Sequence, residues 1–549
     1  MRTATTTLAL AALAASAGAA HATPCVHGTT PPPNGTCFDT YQRPDGRVET
    51  YYAATGSRLA LALALLSDRW DSIGAAGDWH PYDDDLPYLP EELSALRHNG
   101  AITVARSLES SLVQSAQGPV VGLAPAYALT TWQYISRPLG FGALLAWPGS
   151  PAFRDAALAN ALATQQYFGG GVPGFIPWVS KSGSAEQAWD VCPIAVLPDG
   201  RDAHRTILAS IGHAMRGMIE IAIATGRTDL GTWVDAKLAF IDANGTGAYP
   251  QQLVPDKWTE VGTCLDEGPS SDNNYFARAL YAAADAIAAA PAATAQALAP
   301  LRGRMLEHAN NMAVGWATLA FLPAEQRFAT HMRFDGHPYD TTTLGDTKWN
   351  ILYLIADSVR HQPGRSVTDL DLARRHWETL RATAKSGLVD EDYGTDSHVI
   401  EPDAPALADA LMELHRAAQG VTLPAGMSPT YFRTAALSLF DGIVAHHGEA
   451  GTRRRVLDNG SSLDSAFMTR VALGEFTHHR LAIDAAAAGR PFTIRSCASP
   501  QFCLFTVLGA TLPPYSRLAI ALLPEGLYRV TVGGTSQLVS LTTDQSVTF

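Results

Sequence analysis

The chain has 549 residues, 47% of them hydrophobic and only 17% charged, with 39 Lys plus Arg against 52 Asp plus Glu and a formal net charge of −13. Charge well below the roughly 25% of an average domain, replaced by Ala, Gly, Pro and Thr, excludes disorder, collagen, coiled coil and a multi-pass membrane protein. The densest basic run is Arg453-Arg454-Arg455, which lacks the clustered cations that a phosphate backbone requires, so no nucleic-acid partner is expected.

Residues 1–22 read as a secretory signal peptide. Arg2 leads an apolar stretch from Leu8 to Ala20, and Ala20-His21-Ala22 supplies small residues for cleavage. That stretch is shorter than the roughly 20 residues that cross a bilayer, so the expected mature chain starts at Thr23, secreted or periplasmic, with no membrane insertion. Six cysteines agree with an oxidising compartment. Proximity pairs them as Cys25 with Cys37, Cys192 with Cys264, and Cys497 with Cys503, one of several possible connectivities.

A Pro- and Gly-rich lead-in occupies residues 23–57. From 58 to 490 the apolar residues recur at helical spacing, which predicts about twelve helices, among them 91–117, 202–224, 271–289, 292–320, 346–361, 368–386, 404–418, 429–447 and 463–487. In the second of these, Ile207, Leu208, Ile211, Met215, Met218, Ile219 and Ala222 form the stripe; Asp202 stands at the expected N-cap and Gly226 at the end. Asp272 and Asp346 stand where further helices should start. Many helices are Ala-rich on both sides, as suits packing on two faces, against an inner and an outer ring. From Pro491 to Phe549 the period changes to alternation (Leu504 to Leu508, Leu527 to Val532, Leu538 to Leu541), predicting a small β-rich C-terminal module.

Paired helices followed by a small β module on an exported chain resemble the secreted (α/α)-toroid carbohydrate-active enzymes, the glycoside hydrolases and polysaccharide lyases. The expected fold is therefore mainly α, an (α/α) toroid with a C-terminal β module. The resemblance implies an active cleft at one end, lined by the loops and termini of the inner helices, and a polysaccharide or oligosaccharide substrate. It carries no motif for one family, so the chemistry must come from individual residues.

Polar and aromatic residues outside the helical pattern gather in loops. Trp178 and Trp189 lie in a Gly- and Trp-rich segment without helical period, where rings can stack on sugar faces. Trp258, Asp266, Glu267, Asn274 and Tyr275 follow. A positioned carboxylate near aromatic rings can have its pKa raised enough to act as a general acid. Arg333, His337, Tyr339 and Trp349 form the next group, and Glu391, Asp392 and Tyr393 the last. Hydrolysis would use Asp266 or Glu267 with Glu391 or Asp392 as acid and base on opposite sides of a sugar ring. Elimination beside a uronate carboxylate would use His337 and Tyr339 for proton transfer, with Arg333 and Asn274 neutralising the carboxylate. The acidic net charge favours hydrolysis, because a lyase must bind a polyanion. A non-catalytic glycan-binding or scaffold protein is the rival from another class.

No cofactor is expected. Calcium is conceivable at Asp390, Asp392 and Asp396, but the glutamate that closes such a loop is not at the required offset, and Asp83 to Asp85 alternate direction too quickly to wrap an ion. There is no Gly-x-Ser-x-Gly elbow, His-Glu-x-x-His pair or phosphate-cradling loop. The adjacent pairs His446-His447 and His478-His479, on expected helices, point about 100° apart and are read as structural.

Overall fold

The computed structural model describes residues 23–24, 36–42, 48–54, 112–115, 118–121, 158, 161–162, 205–245, 253–254, 257–259, 262–263, 271–329, 331–332, 337–339, 345–382, 404–446, 468, 470–472, 474–475, 478–487, 489–511 and 518–549. The chain divides into two compact units. One takes the N-terminal segment and the C-terminal end, the other the long middle of the chain.

The N-terminal segment contributes β1 (Thr23–Pro24), β2 (Thr36–Gln42) and β3 (Val48–Ala54), hydrogen-bonded in that order. The middle opens with a hairpin of β4 (Leu112–Ser115) and β5 (Gly118–Val121). The helix expected over 91–117 is thus corrected at its end: a two-residue link between Val-bearing strands favours a hairpin over a continued helix. Next come β6 (Arg205–Ile207), α1 (Leu208–Thr225) and α2 (Leu230–Gly245). The short strands β7 (Lys257–Thr259) and β8 (Gly262–Thr263) precede α3 (Ser271–Ala289) and α4 (Ala292–Leu319). The hairpins β9 (Phe321–Leu322) with β10 (Arg327–Phe328) and β11 (His331–Met332) with β12 (Pro338–Tyr339) precede α5 (Gly345–His361). Then follow α6 (Ser366–Ala382), α7 (Ala404–Ala417) and α8 (Tyr431–His446).

Most boundaries match the apolar periodicity to within a few residues. The start of α1 does not: Arg205–Ile207 pair with Lys257–Thr259 as a strand, so the helix begins after Ile207 and Asp202 is not adjacent to its first turn. Its end behaves as expected, with Gly226 at φ 71° closing α1 in a conformation that costs other residues strain.

The described helices form four successive hairpins in which odd and even members play different parts. Helices α1, α3, α5 and α7 neighbour one another in series, while α2, α4, α6 and α8 flank them. Over residues 208–446 this is the inner and outer layering of part of an (α/α) toroid. Burial follows the same division. On α1, Leu208, Ile211, Met215 and Met218 are fully buried, and so are Ala214 and Ile221 on other sides. On α7 every residue from Ala404 to Leu414 is buried. A helix covered all round belongs to the interior of a large domain.

In the β unit, β13 (His478–Asp484), β16 (Leu518–Pro524) and β19 (Gln545–Thr548) form a sheet in the order β16-β13-β19. The strands β14 (Pro491–Ser499), β15 (Phe502–Thr511), β17 (Gly526–Val532) and β18 (Thr535–Leu541) form a second, in the order β15-β14-β17-β18. One apolar core takes Leu481 and Ile483 from the first sheet and Phe492, Ile494, Val530 and Leu541 from the second. The expected alternation is visible on β17, where Tyr528, Val530 and Val532 are buried. Cys497 and Cys503 face each other across β14 and β15 and are disulfide-bonded, as their proximity in sequence predicted; the other two cysteine pairings involve residues outside those described. β3 runs against β16, so the N-terminal segment belongs to this unit.

The helix expected over 463–487 is corrected. Residues 468 and 470–472 are helical, but His478 to Asp484 form β13, the middle strand of its sheet. Leu481, Ala482 and Ile483 are all buried, so the run shows no alternation and mimics a helix core.

Two substitutions test this packing. A Cβ on Gly212 of α1 would lie 2.9 Å from the Phe276 Cα of α3. Gly212→Ala is expected to destabilise by about 1–3 kcal/mol in urea unfolding, because backbone has to move apart; an unchanged midpoint would refute the close approach. Lys237 on α2 is 3% exposed, with its ammonium 4.5 Å from the Trp233 ring centre, and burial pushes its pKa down to about 8. The unfolded lysine titrates near 10.5, so the stability penalty is full below about pH 8 and fades as pH rises toward 10.5. Lys237→Met is expected to raise stability by roughly 2–3 kcal/mol near pH 7 and by much less near pH 10; an equal gain at both pH values would show that charge burial is not the cause.

Candidate active site

The inner helices α3, α5 and α7 meet through side chains in their first turns. Tyr275 of α3 and Trp349 of α5 pack edge to face, with ring centroids 6.0 Å apart, and Trp349 packs likewise on Tyr353 at 5.7 Å. One turn after Asn274, the Arg278 guanidinium lies 4.1 Å from the Tyr353 ring centre and donates from Nη1 to Asn350 Oδ1 at 2.6 Å. The Tyr353 hydroxyl donates to Asp409 Oδ2 on α7. Further along, Arg360 of α5 pairs with Glu413 of α7 and, at 2.7 Å, with Asp357 of its own helix; Arg416 also pairs with Glu413.

Partner numbers rise together along the three helices: 275 with 349 and 278 with 353, then 353 with 409 and 360 with 413. The three helices are therefore parallel, and their N-terminal ends lie at one end of the ring. In sequence, the segments that carry Asp266 and Glu267, then Arg333, His337 and Tyr339, and then Glu391, Asp392 and Tyr393 precede those three helix starts.

Asn274, Asn350 and Asp409 are 0% exposed. Burying such groups is costly unless they find partners, about 1–3 kcal/mol for each hydrogen bond left unmade. Asn350 Oδ1 and Asp409 Oδ2 have donors. Among the described residues, neither amide atom of Asn274 has a hydrogen-bond partner, nor does Asn350 Nδ2. Burial holds the Asp357 carboxyl above the ordinary carboxylate range; Arg360 and Arg278 draw it down, and Glu413 pushes it up again. Next to Asn274, Asn273 clamps the preceding loop: its Nδ2 donates to the Val254 carbonyl at 2.8 Å, and its Oδ1 accepts from the Val254 N–H at 3.2 Å.

Of the residues singled out from the sequence, the structure brings Tyr275 and Trp349 into contact, with Asn274 next to Tyr275 on α3. His337 is exposed ahead of β12, Tyr339 lies opposite His331 in the β11–β12 hairpin, and Trp258 lies on β7 opposite Thr206. Asp266, Glu267, Trp178, Trp189, Arg333, Glu391, Asp392 and Tyr393 lie outside the described residues. His479, expected on a helix, is on β13 and pairs with Glu525 at 3.1 Å. Among the described residues no group of three or more His, Cys, Asp or Glu side chains is placed to hold a metal ion, and no helix is long and apolar enough to cross a membrane.

Sequence reasoning missed Arg278, Asn350, Tyr353 and Asp409. The available signal was a polar residue inside an otherwise apolar run, clearest for Asp409 in Ala404-Pro-Ala-Leu-Ala-Asp-Ala-Leu-Met412.

No family model matches the chain, nor does any curated protein. Solved structures that resemble it include a D-mannose isomerase, at 12% identity and a TM-score of 0.46, covering 72% of this chain and 98% of that one. An alpha-1,6-mannanase from Salegentibacter sp. HEL1_6 has 9% identity and a TM-score of 0.39, covering 68% and 97%. A cellobiose 2-epimerase from Spirochaeta thermophila has 13% identity and a TM-score of 0.40, again covering 68% and 97%.

Tyr353→Phe removes the hydroxyl that donates to a fully buried carboxylate. A loss of about 1–3 kcal/mol is expected in urea unfolding, and wild-type stability in this variant would mean that the contact between α5 and α7 is not made.

Proposed function

We propose that this chain is an exported carbohydrate-processing enzyme acting at the end of the toroid where α3, α5 and α7 begin, and that it cleaves glycosidic bonds by hydrolysis. The observation that carries this reading is the layer of aromatic and hydrogen-bonding side chains on the first turns of three parallel helices. Sugar sites combine flat apolar rings with a few fixed polar groups. Asp266 or Glu267, joined by a short link to α3, and Glu391 or Asp392, in the segment before α7, supply acid and base from two different loops. An inverting pair needs a separation of about 6.5–9.5 Å, which leaves room for the attacking water. The signal-like residues 1–22 support export.

One observation favours elimination as a second reading. Asn274, the amide assigned to neutralise a uronate carboxylate, is on α3 with no partner for its carboxamide among the described residues. His337 and Tyr339 would transfer the proton, and Arg333 would assist at the carboxylate.

Incubation of the purified protein with neutral and uronic polysaccharides separates these readings. New reducing ends without the ultraviolet absorbance of an unsaturated uronate are expected. Absorbing products would establish the lyase instead, and no product from any substrate would leave a glycan-binding protein. For the hydrolase, the amide variant of the true general acid (Asp266→Asn or Glu267→Gln) is expected to lose about 10²–10⁴ in kcat; full activity in both variants would remove that loop from the mechanism.

A further inference from the structure

The layer between α3 and α5 contains hydrogen-bonding capacity that none of the described residues uses. Asn274, fully buried, neither donates nor accepts through its carboxamide, and Asn350, also fully buried, has its Oδ1 held by Arg278 while its Nδ2 lacks an acceptor. Leu or Ala at position 274 would avoid the penalty, and both occur on α3. Arg278 links the two sites: it lies one turn beyond Asn274 on α3 and reaches across to Asn350. An unused acceptor and unused amide N–H groups therefore flank a single fixed guanidinium.

The charges of the layer are already matched. Among the described residues, the layer beside Asn350 and Tyr353 holds one cation and one acid, Arg278 of α3 and Asp409 of α7. A uronate carboxylate brought here would add a second anion without a second cation among the described residues, a poor exchange for its hydration. A sugar hydroxyl both donates and accepts, so two adjacent hydroxyls can satisfy a carboxamide with no change in charge.

We propose that this layer is a recognition subsite for a neutral sugar ring, whose vicinal hydroxyls complete the hydrogen bonding of Asn274 and Asn350, and that it selects neutral units over uronates. The inference rests on the carbohydrate reading of the same site and adds the class of sugar and two specificity residues.

The test uses the full-length mature protein with methyl glucoside, methyl mannoside and methyl glucuronide as probes, measuring calorimetric affinity beside turnover of neutral and uronic polysaccharides. Wild type is expected to bind at least one neutral glycoside ten-fold or more tightly than the glucuronide. Asn274→Leu is expected to melt at or above the wild-type temperature and Asn350→Leu somewhat below it, because Arg278 Nη1 loses its acceptor, and both are expected to bind the neutral glycoside at least ten-fold more weakly. Unchanged affinity in both variants would show that the amides hold only water and overturn the proposal. Preference for the glucuronide, read on wild type and independent of how the variants fold, would overturn it while leaving the carbohydrate reading intact. Absence of binding and turnover with every sugar would remove both.

Discussion

Polar side chains on the inner helices have few places to go, and the helical unit is organised around that constraint. Helices α3, α5 and α7 are enclosed by other chain segments over most of their described length, so a charge or amide on one must find its partner on a neighbour. Arg278 with Asn350, Tyr353 with Asp409, and Arg360 with Glu413 are three such solutions. Each spans two helices, and together they fix relative height as apolar packing alone does not, since Ala and Leu surfaces fit nearly as well one turn out of register. The hydrophobic effect drives the hairpins together; the polar pairs decide which residues of adjacent helices stand side by side.

That division explains what could be read from the sequence. Apolar periodicity is a local property, and it located most of the described helices in the middle of the chain, including α3 at both ends. It failed where local pattern and tertiary setting diverge. The strand β13 is buried as the middle member of a sheet and so resembles a helix core, and Arg205–Ile207 leave the helical pattern to pair with a segment some fifty residues away. The site was legible in part for the same reason. Tyr275 and Trp349 drew notice because aromatic residues cluster near helix starts, and Asn274 because it follows an acidic loop. Arg278 and Asp409 sit within apolar helices, where an amphipathic reading turns a charge toward water; only the packing of a second inner helix reveals that both are covered.

The outer ring follows different rules. Its ion pairs, such as Arg304 with Asp235 and Asp242, are substantially exposed and join α4 to α2 across the surface. Such pairs contribute little to stability, which leaves the outer helices free to vary in charge, whereas α7 has almost no position open to a new polar group. Buried charge also occurs in the outer ring, where Lys237 of α2 lies over Trp233 and Asp369 of α6 accepts from Arg365 and Ser358.

The β unit joins segments from opposite ends of the chain, with β3 lying against β16. Contacts between such distant segments close a very long loop, which is entropically slow to find, and the helical hairpins between them form from neighbours in sequence. The order of assembly follows: helices first, and the β unit only after the last strands have been synthesised. For an exported chain, that order places completion of the β unit on the far side of the membrane. In such a chain the sheets would be shaped after translocation, in the same compartment where Cys497 and Cys503 could be oxidised.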